Sequence, residues 1–274
     1  MAAFDRKELL ARAASAVVLL LLAGGAIWFG EWVFVLMMTL LCGVMAFEWG
    51  RLVGLGEEDR GLTISGMVLS AIPCVVVAIL PFSRDPLVPV LCVVLAGLVY
   101  LLALRRRPAA ALGLGAGVFY IGLAGTAATW LQELPGIRND AAILWLVASV
   151  VATDIGAYFA GRLIGGPKLL PAISPKKTWA GLIGGIAASA GAGAALADQF
   201  TGDVLLSAAC GAGLAVVAQA GDFLESWLKR RAGVKDSGHL IPGHGGFLDR
   251  LDGFLAATPA LAGLVLLAGR VPIL

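Results

Sequence analysis

Apolar and charged positions are segregated along this 274-residue chain. Apolar runs of 16 to 21 residues, bounded by charge or by Pro and Gly, fall at 13–29, 32–47, 62–80, 87–104, 111–131, 141–161, 179–197, 204–221 and 253–269. A helix rises 1.5 Å per residue, so about 20 apolar residues cross a hydrocarbon core of about 30 Å. The pattern predicts an all-α, polytopic integral membrane protein with about nine transmembrane helices and no separate soluble domain. Eight spans is the second count. The first two runs are short and separated only by Gly30 and Glu31, which suits a tight helical hairpin or a partly re-entrant pair.

Composition agrees: 59% of residues are hydrophobic and 14% charged, with a mean hydropathy of +0.93, whereas soluble domains carry about 25% charge. The net charge of +2 conceals where the charges lie. With the N-terminus cytoplasmic, 17 of the 20 Lys and Arg residues face inside and only Arg84, Arg138 and Arg270 face outside, as the positive-inside rule requires. Two charged loops, 162–178 and 222–252, are then cytoplasmic. Residues 1–140 read as a scaffold of transmembrane helices and residues 141–274 as the catalytic region. The four cysteines sit inside apolar runs without metal-ligand spacing, and are read as small buried residues. Glycines within the runs suit close helix packing in lipid. The lack of an internal repeat argues against an inverted-repeat transporter.

Chemistry is concentrated in 222–252. Asp222 and Glu225 are three apart and Ser226 four from Asp222, so on a helix all three share a face. Two carboxylates and a hydroxyl are hard oxygen ligands for Mg²⁺, although a solvated helix end reads the same way. Further on, Lys235 precedes a loop in which Gly243, His244, Gly245 and Gly246 favour exposed backbone N–H groups able to cradle phosphate. Asp249 and Asp252 then form a second i, i+3 pair, interleaved with Lys229, Arg230, Arg231, Lys235 and Arg250. Paired carboxylates among cations suit metal-assisted phosphoryl chemistry.

A second cluster lies upstream. Asp154 sits inside an apolar run, where a charge is costly and points to function. Asp154, Tyr158 and Arg162 recur every fourth residue and line one helix face. The basic loop after them carries Ser174, Lys176, Lys177 and Thr178, with a helix start near Thr178 suited to an anion; an unspecific positive-inside anchor is the alternative. His244 is a candidate for phosphate contact or proton transfer, and His239 reads as an incidental loop residue.

The stretch Ser226-Trp227-Leu228-Lys229-Arg230, then Lys235-Asp236-Ser237-Gly238, Ile241-Pro242-Gly243-His244-Gly245-Gly246-Phe247 and Asp249-Arg250-Leu251-Asp252 resembles the signature of phosphatidate cytidylyltransferases, or CDP-diacylglycerol synthases, without a departure. The block from Asp154 through Gly181 is similar to a second stretch of that family. The resemblance implies attack of the phosphate of phosphatidic acid on the α-phosphorus of CTP, giving CDP-diacylglycerol and pyrophosphate. It also implies Mg²⁺, with room for a second cation, on Asp222 and Asp249, supported by Glu225 and Asp252. Lys235, Arg250 and Asp252 complete the expected catalytic set. Asp154, Tyr158, Arg162, Ser174, Lys176, Lys177, Thr178, Ser226, Lys229, Arg230, His244, Gly245 and Gly246 are the expected substrate contacts. CTP, phosphatidic acid and membrane lipids are the expected partners, a second copy of the chain is kept as one, and nucleic acid is not expected. The expected location is a bacterial inner membrane, and the charge split predicts that the N-terminus and the active site are cytoplasmic. A CTP-dependent lipid or polyprenol kinase, and a transporter, are the alternatives.

Overall fold

The structure, a computed structural model, describes residues 18, 21–79, 87–134, 140–238, 240 and 245–267. Its elements are helices α1 (Glu31–Leu52), a 3-10 turn (Glu57–Asp59), α2 (Arg60–Ile79), α3 (Leu87–Arg106), α4 (Pro108–Gln132) and α5 (Ala141–Leu163), strands β1 (Lys168–Leu170) and β2 (Ser174–Thr178), then α6 (Trp179–Ala195), α7 (Ala197–Phe200), α8 (Val204–Arg231) and α9 (Leu248–Leu267). Residues 21–29 are also helical, and the break before α1 is the single residue Gly30 at φ 102°, a conformation that favours glycine.

Six helices among the described residues are long and apolar enough to cross a membrane: Glu31–Leu52, Glu57–Ile79, Pro108–Gln132, Ala141–Leu163, Val204–Arg231 and Leu248–Leu267. The expected nine are not reached among these residues. The run at 87–104 forms α3, whereas the start of the run at 13–29 lies outside the described residues. The run at 179–197 folds as the 17-residue α6 followed by the short α7, because Leu196 interrupts the helix. The second run grows at both ends to 22 residues in α1. Long apolar side chains point outward, among them Leu112, Leu163 and Leu205, as befits surfaces solvated by lipid rather than water.

The chain divides into two units. The first comprises Met1–Thr129 and Arg231–Leu251. Its helices meet through glycines: a Cβ on Gly117 would lie 2.3 Å from Trp49 Nε1, and one on Gly125 would lie 2.3 Å from Cys42 Sγ. Trp49 Nε1 donates to the Gly113 carbonyl at 2.8 Å, so the same glycine face that admits the indole also satisfies its N–H. Leu62, Val99, Ala103, Ala111, Leu114 and Val118 fill the neighbouring core. Arg107 pairs with Glu58 and, at 2.9 Å, with Asp59, tying the start of α4 to the turn before α2.

The second unit comprises Trp130–Arg230 and Asp252–Leu274. Here α5 and α6 nearly touch backbones: a Cβ on Gly184 would lie 2.2 Å from the Ala160 Cβ, and one on Gly156 2.5 Å from the Gly184 carbonyl. Helix α8 meets α6 the same way, with Ser189 Oγ donating to the Gly211 carbonyl at 2.8 Å. Gly221 of α8 brings that helix against Ala256 and the Asp252 carbonyl of α9. Trp145 stacks on Phe200 with ring centroids 4.6 Å apart, closing the opposite end of α5.

Candidate active site

Each charged loop begins where a helix is ended by glycine. After α5, Gly165 and Gly166 adopt φ of 69° and 97°; after α8, Gly233 adopts 71°. The first exit leads into an antiparallel hairpin in which Lys168 pairs with Thr178 and Leu170 with Ser174. Thr178 ends the hairpin and caps α6, its buried Oγ1 accepting the Gly181 N–H at 3.1 Å. The hairpin is thereby fixed over the ends of α5 and α6.

Beneath it, in the second unit, is a cavity of about 410 Å³. Helix α5 supplies Asp154, Tyr158 and Arg162; the hairpin supplies Lys176, Lys177 and Thr178; α8 supplies Gln219 and Asp222, and α9 supplies Asp252. The expected helical face is real: Arg162 Nη1 donates to the Tyr158 hydroxyl at 2.6 Å, and the guanidinium stands 5.9 Å from that ring's centroid. Lys177 Nζ lies 2.5 Å from Asp222 Oδ2, and Ser226 Oγ donates to Asp222 Oδ1 at 3.2 Å. Asp252 lines the same cavity as Asp222.

Other expected contacts have partners within the second unit. Lys229 Nζ lies 2.8 Å from Glu225 Oε2, one turn back on α8, with both side chains largely buried. Arg230 Nε donates to the Ile173 carbonyl at 3.4 Å, which fastens α8 to the hairpin. Ser174 starts β2 and does not line the cavity.

The 231–251 segment belongs to the first unit. Lys235 and Arg250 are exposed there. Asp249 Oδ2 accepts the Ser237 N–H at 2.9 Å, the Ser237 hydroxyl at 3.0 Å and the Gly246 N–H at 2.8 Å. Gly245, at φ 83°, turns the chain into this arrangement. His244 and His239 lie outside the described residues.

Two residues of consequence were not singled out from the sequence. Gln219, buried in α8, reaches the cavity wall beside Gly185. Glu48, buried in α1, accepts hydrogen bonds from Ser237, Phe247 and Leu248. A carboxylate at the edge of an apolar run was the only signal for Glu48, and it read as the charge that bounds a span.

Carboxylates and cations thus meet around a cavity at the charged ends of apolar helices. Fold and site together define a polytopic, α-helical integral membrane protein with a polar site of mixed charge. Residues 10–268 match the Cytidylyltransferase family, and the chain belongs to that family. The phosphatidate cytidylyltransferase of Brucella suis is 46% identical over 155 residues, 53% of this chain and 54% of that protein. That of Pseudomonas aeruginosa is 43% identical over 130 residues, covering 46% and 48%, and that of Helicobacter pylori 43% over 134 residues, covering 47% and 50%. The chain spans about half the length of the curated relatives it matches.

Proposed function

We propose that the protein transfers the cytidylyl group of CTP to phosphatidic acid. A phosphate oxygen of phosphatidic acid attacks the α-phosphorus, the bond from that phosphorus to the bridging oxygen breaks, and pyrophosphate leaves with the electron pair. The products are CDP-diacylglycerol and pyrophosphate. The observation that carries this reading is the cavity lined by Arg162, Lys176 and Lys177 together with Asp222 and Asp252. Cations there compensate the charge of two phosphorylated substrates, and the ends of apolar helices are where a lipid headgroup and a water-soluble nucleotide meet. The family membership and the names of the relatives support the choice of CTP and phosphatidic acid.

The carboxylates suit Mg²⁺, which is commonly held by one or two carboxylates together with substrate phosphates. Among the described residues no three Asp, Glu, His or Cys side chains form a ready-made metal site; Asp222 and Asp252 line one cavity, where two carboxylates and substrate phosphates could share an ion. Asp222 and Asp252 would hold the ion, with Glu225 supporting them; Asp249, which the resemblance makes a ligand, is engaged in the first unit by Ser237 and Gly246. When bound, Mg²⁺ neutralises the triphosphate and the pyrophosphate that leaves.

The chain's own residues do the rest. Lys177, anchored on Asp222 and against the Phe223 ring, holds positive charge beside the carboxylates. Arg162, steadied by Tyr158, supplies a second cation lining the same cavity. A phosphate monoester has its second pKa at about 6, so the nucleophile is largely ionised near neutral pH and needs no strong general base. Positioning and charge compensation then account for most of the rate. The bias of Lys and Arg between loops supports a cytoplasmic active site in a bacterial inner membrane.

The test is purified full-length protein with phosphatidic acid, Mg²⁺ and CTP labelled separately in the cytosine ring and the γ-phosphate. Ring label entering lipid in step with pyrophosphate release is the expected result. Transfer of the γ-label instead identifies a kinase and overturns the proposal.

A further inference from the structure

The strongest unassigned feature is the environment of Glu48 in the first unit. Glu48 is fully buried in α1. Its Oε1 accepts the Phe247 N–H at 3.1 Å, while its Oε2 accepts the Leu248 N–H at 2.8 Å and the Ser237 hydroxyl at 3.2 Å. Leu248 is the first residue of α9. The first N–H groups of a helix have no partner within the helix, and that end carries partial positive charge. Glu48 therefore caps α9 from a different helix.

The cap is shared. Gly246 N–H donates to Asp249 Oδ2 at 2.8 Å, so three consecutive N–H groups, those of Gly246, Phe247 and Leu248, are divided between the two carboxylates. Ser237 joins both, since its hydroxyl lies within hydrogen-bonding distance of Glu48 Oε2 and Asp249 Oδ2. The glycines are matched to this arrangement: a Cβ on Gly238 or on Gly246 would lie 2.6 Å from Glu48 Oε1. Both glycines leave room for the carboxylate, and any side chain at either position drives the loop off Glu48.

We propose that Glu48 is a positioning residue that holds Ser237, the residues from Gly246 to Asp249 and with them the start of α9 in the geometry the reaction requires. It acts through Ser237, Phe247 and Leu248 without touching substrate. This rests on the cytidylyl transfer proposed above, because Asp249 belongs to the residues so held and Lys235 and Arg250 flank them.

The test compares the full-length wild type with Glu48→Gln and Glu48→Leu by hydrogen–deuterium exchange and steady-state kinetics. Losing charged acceptors is expected to speed exchange of the amides of Phe247 and Leu248 about tenfold or more in Glu48→Leu. Exchange within α4 stays unchanged. The same variant is expected to lose about 100-fold in kcat with KM for CTP within about twofold, the pattern of misplaced rather than missing binding groups. Glu48→Gln, which keeps one acceptor oxygen and the side-chain volume, is expected to fall between, and it carries the test where Glu48→Leu does not fold. Unchanged exchange in the variants overturns the proposal, as does faster exchange with unchanged kcat. A wild type that makes no liponucleotide, with exchange still faster in the variants, overturns the reaction assigned above and with it the catalytic purpose of the hold. The hold itself then stands.

Discussion

Lys177 and Asp222 form an ion pair at 2.5 Å, and the same ammonium stands 4.5 Å from the centroid of the Phe223 ring. The pair joins the β hairpin to the charged end of α8, and both side chains are mostly shielded, at 22% and 33% exposure. A lysine on a hairpin is ordinarily a mobile point charge. Here it is fixed beside a carboxylate on the wall of the cavity.

Lys177→Met and Asp222→Asn should therefore be strongly coupled. Each alone is expected to lower kcat/KM by about 100-fold or more, and the double variant should lose far less than the product of the two. A double-mutant cycle should return a coupling of about 1.5–3 kcal/mol, the range for hydrogen bonds to charged groups. Additive losses would mean that the ion pair is incidental to the reaction.

Helices α5 and α6 pack in close contact within the second unit. A Cβ on Gly184 has to occupy space 2.2 Å from the Ala160 Cβ and 2.9 Å from the Gly156 carbonyl. Gly184→Ala must push the helices apart, an overpacking that typically costs about 1–3 kcal/mol. A Cβ on Gly191, in the same helix, would meet nothing within 4 Å, so Gly191→Ala should be neutral or slightly stabilising. Thermal denaturation of the two variants in one detergent measures the contrast, and equal midpoints would contradict it.

Much of this was legible in the sequence. Hydropathy marked most of the helices because lipid demands long apolar segments with backbone groups satisfied inside them. The face of Asp154, Tyr158 and Arg162 followed from helical spacing alone, and the Arg162–Tyr158 contact bears it out. Spacing within a segment cannot announce a partner in another, so Lys177 with Asp222, and Glu48 with Leu248 two hundred positions later, emerge only from tertiary structure. The shortening of the run at 179–197 escaped hydropathy for a related reason: Ala and Gly around Leu196 remain apolar where the helix stops.

Thr178 is a cap and a wall of the cavity at once. Thr178→Val keeps the shape and removes the acceptor for the Gly181 N–H, which is expected to cost about 1 kcal/mol of stability. Thr178→Ser retains the oxygen and should stay within about 0.5 kcal/mol of the wild type. Thermal midpoints measured side by side decide the matter; a Ser variant as unstable as the Val variant would show that the methyl group, not the hydroxyl, is what α6 requires.

The carboxylates of Asp222, Glu225 and Asp252 provide the last prediction. Asp222 and Asp252 line one cavity in the second unit, and Lys177 and Lys229 are the cations paired to Asp222 and Glu225. If Asp222 and Asp252 hold Mg²⁺, chelation should abolish activity and added Mg²⁺ should restore it. Asp252→Asn should then raise the Mg²⁺ concentration for half-maximal activity about 10-fold or more, as loss of a ligand or of its immediate support does. Titrating Mg²⁺ at saturating CTP and phosphatidic acid measures that shift. An Asp252→Asn enzyme with reduced kcat but an unshifted Mg²⁺ midpoint would remove Asp252 from the metal and leave it as a wall of the cavity that shapes substrate binding.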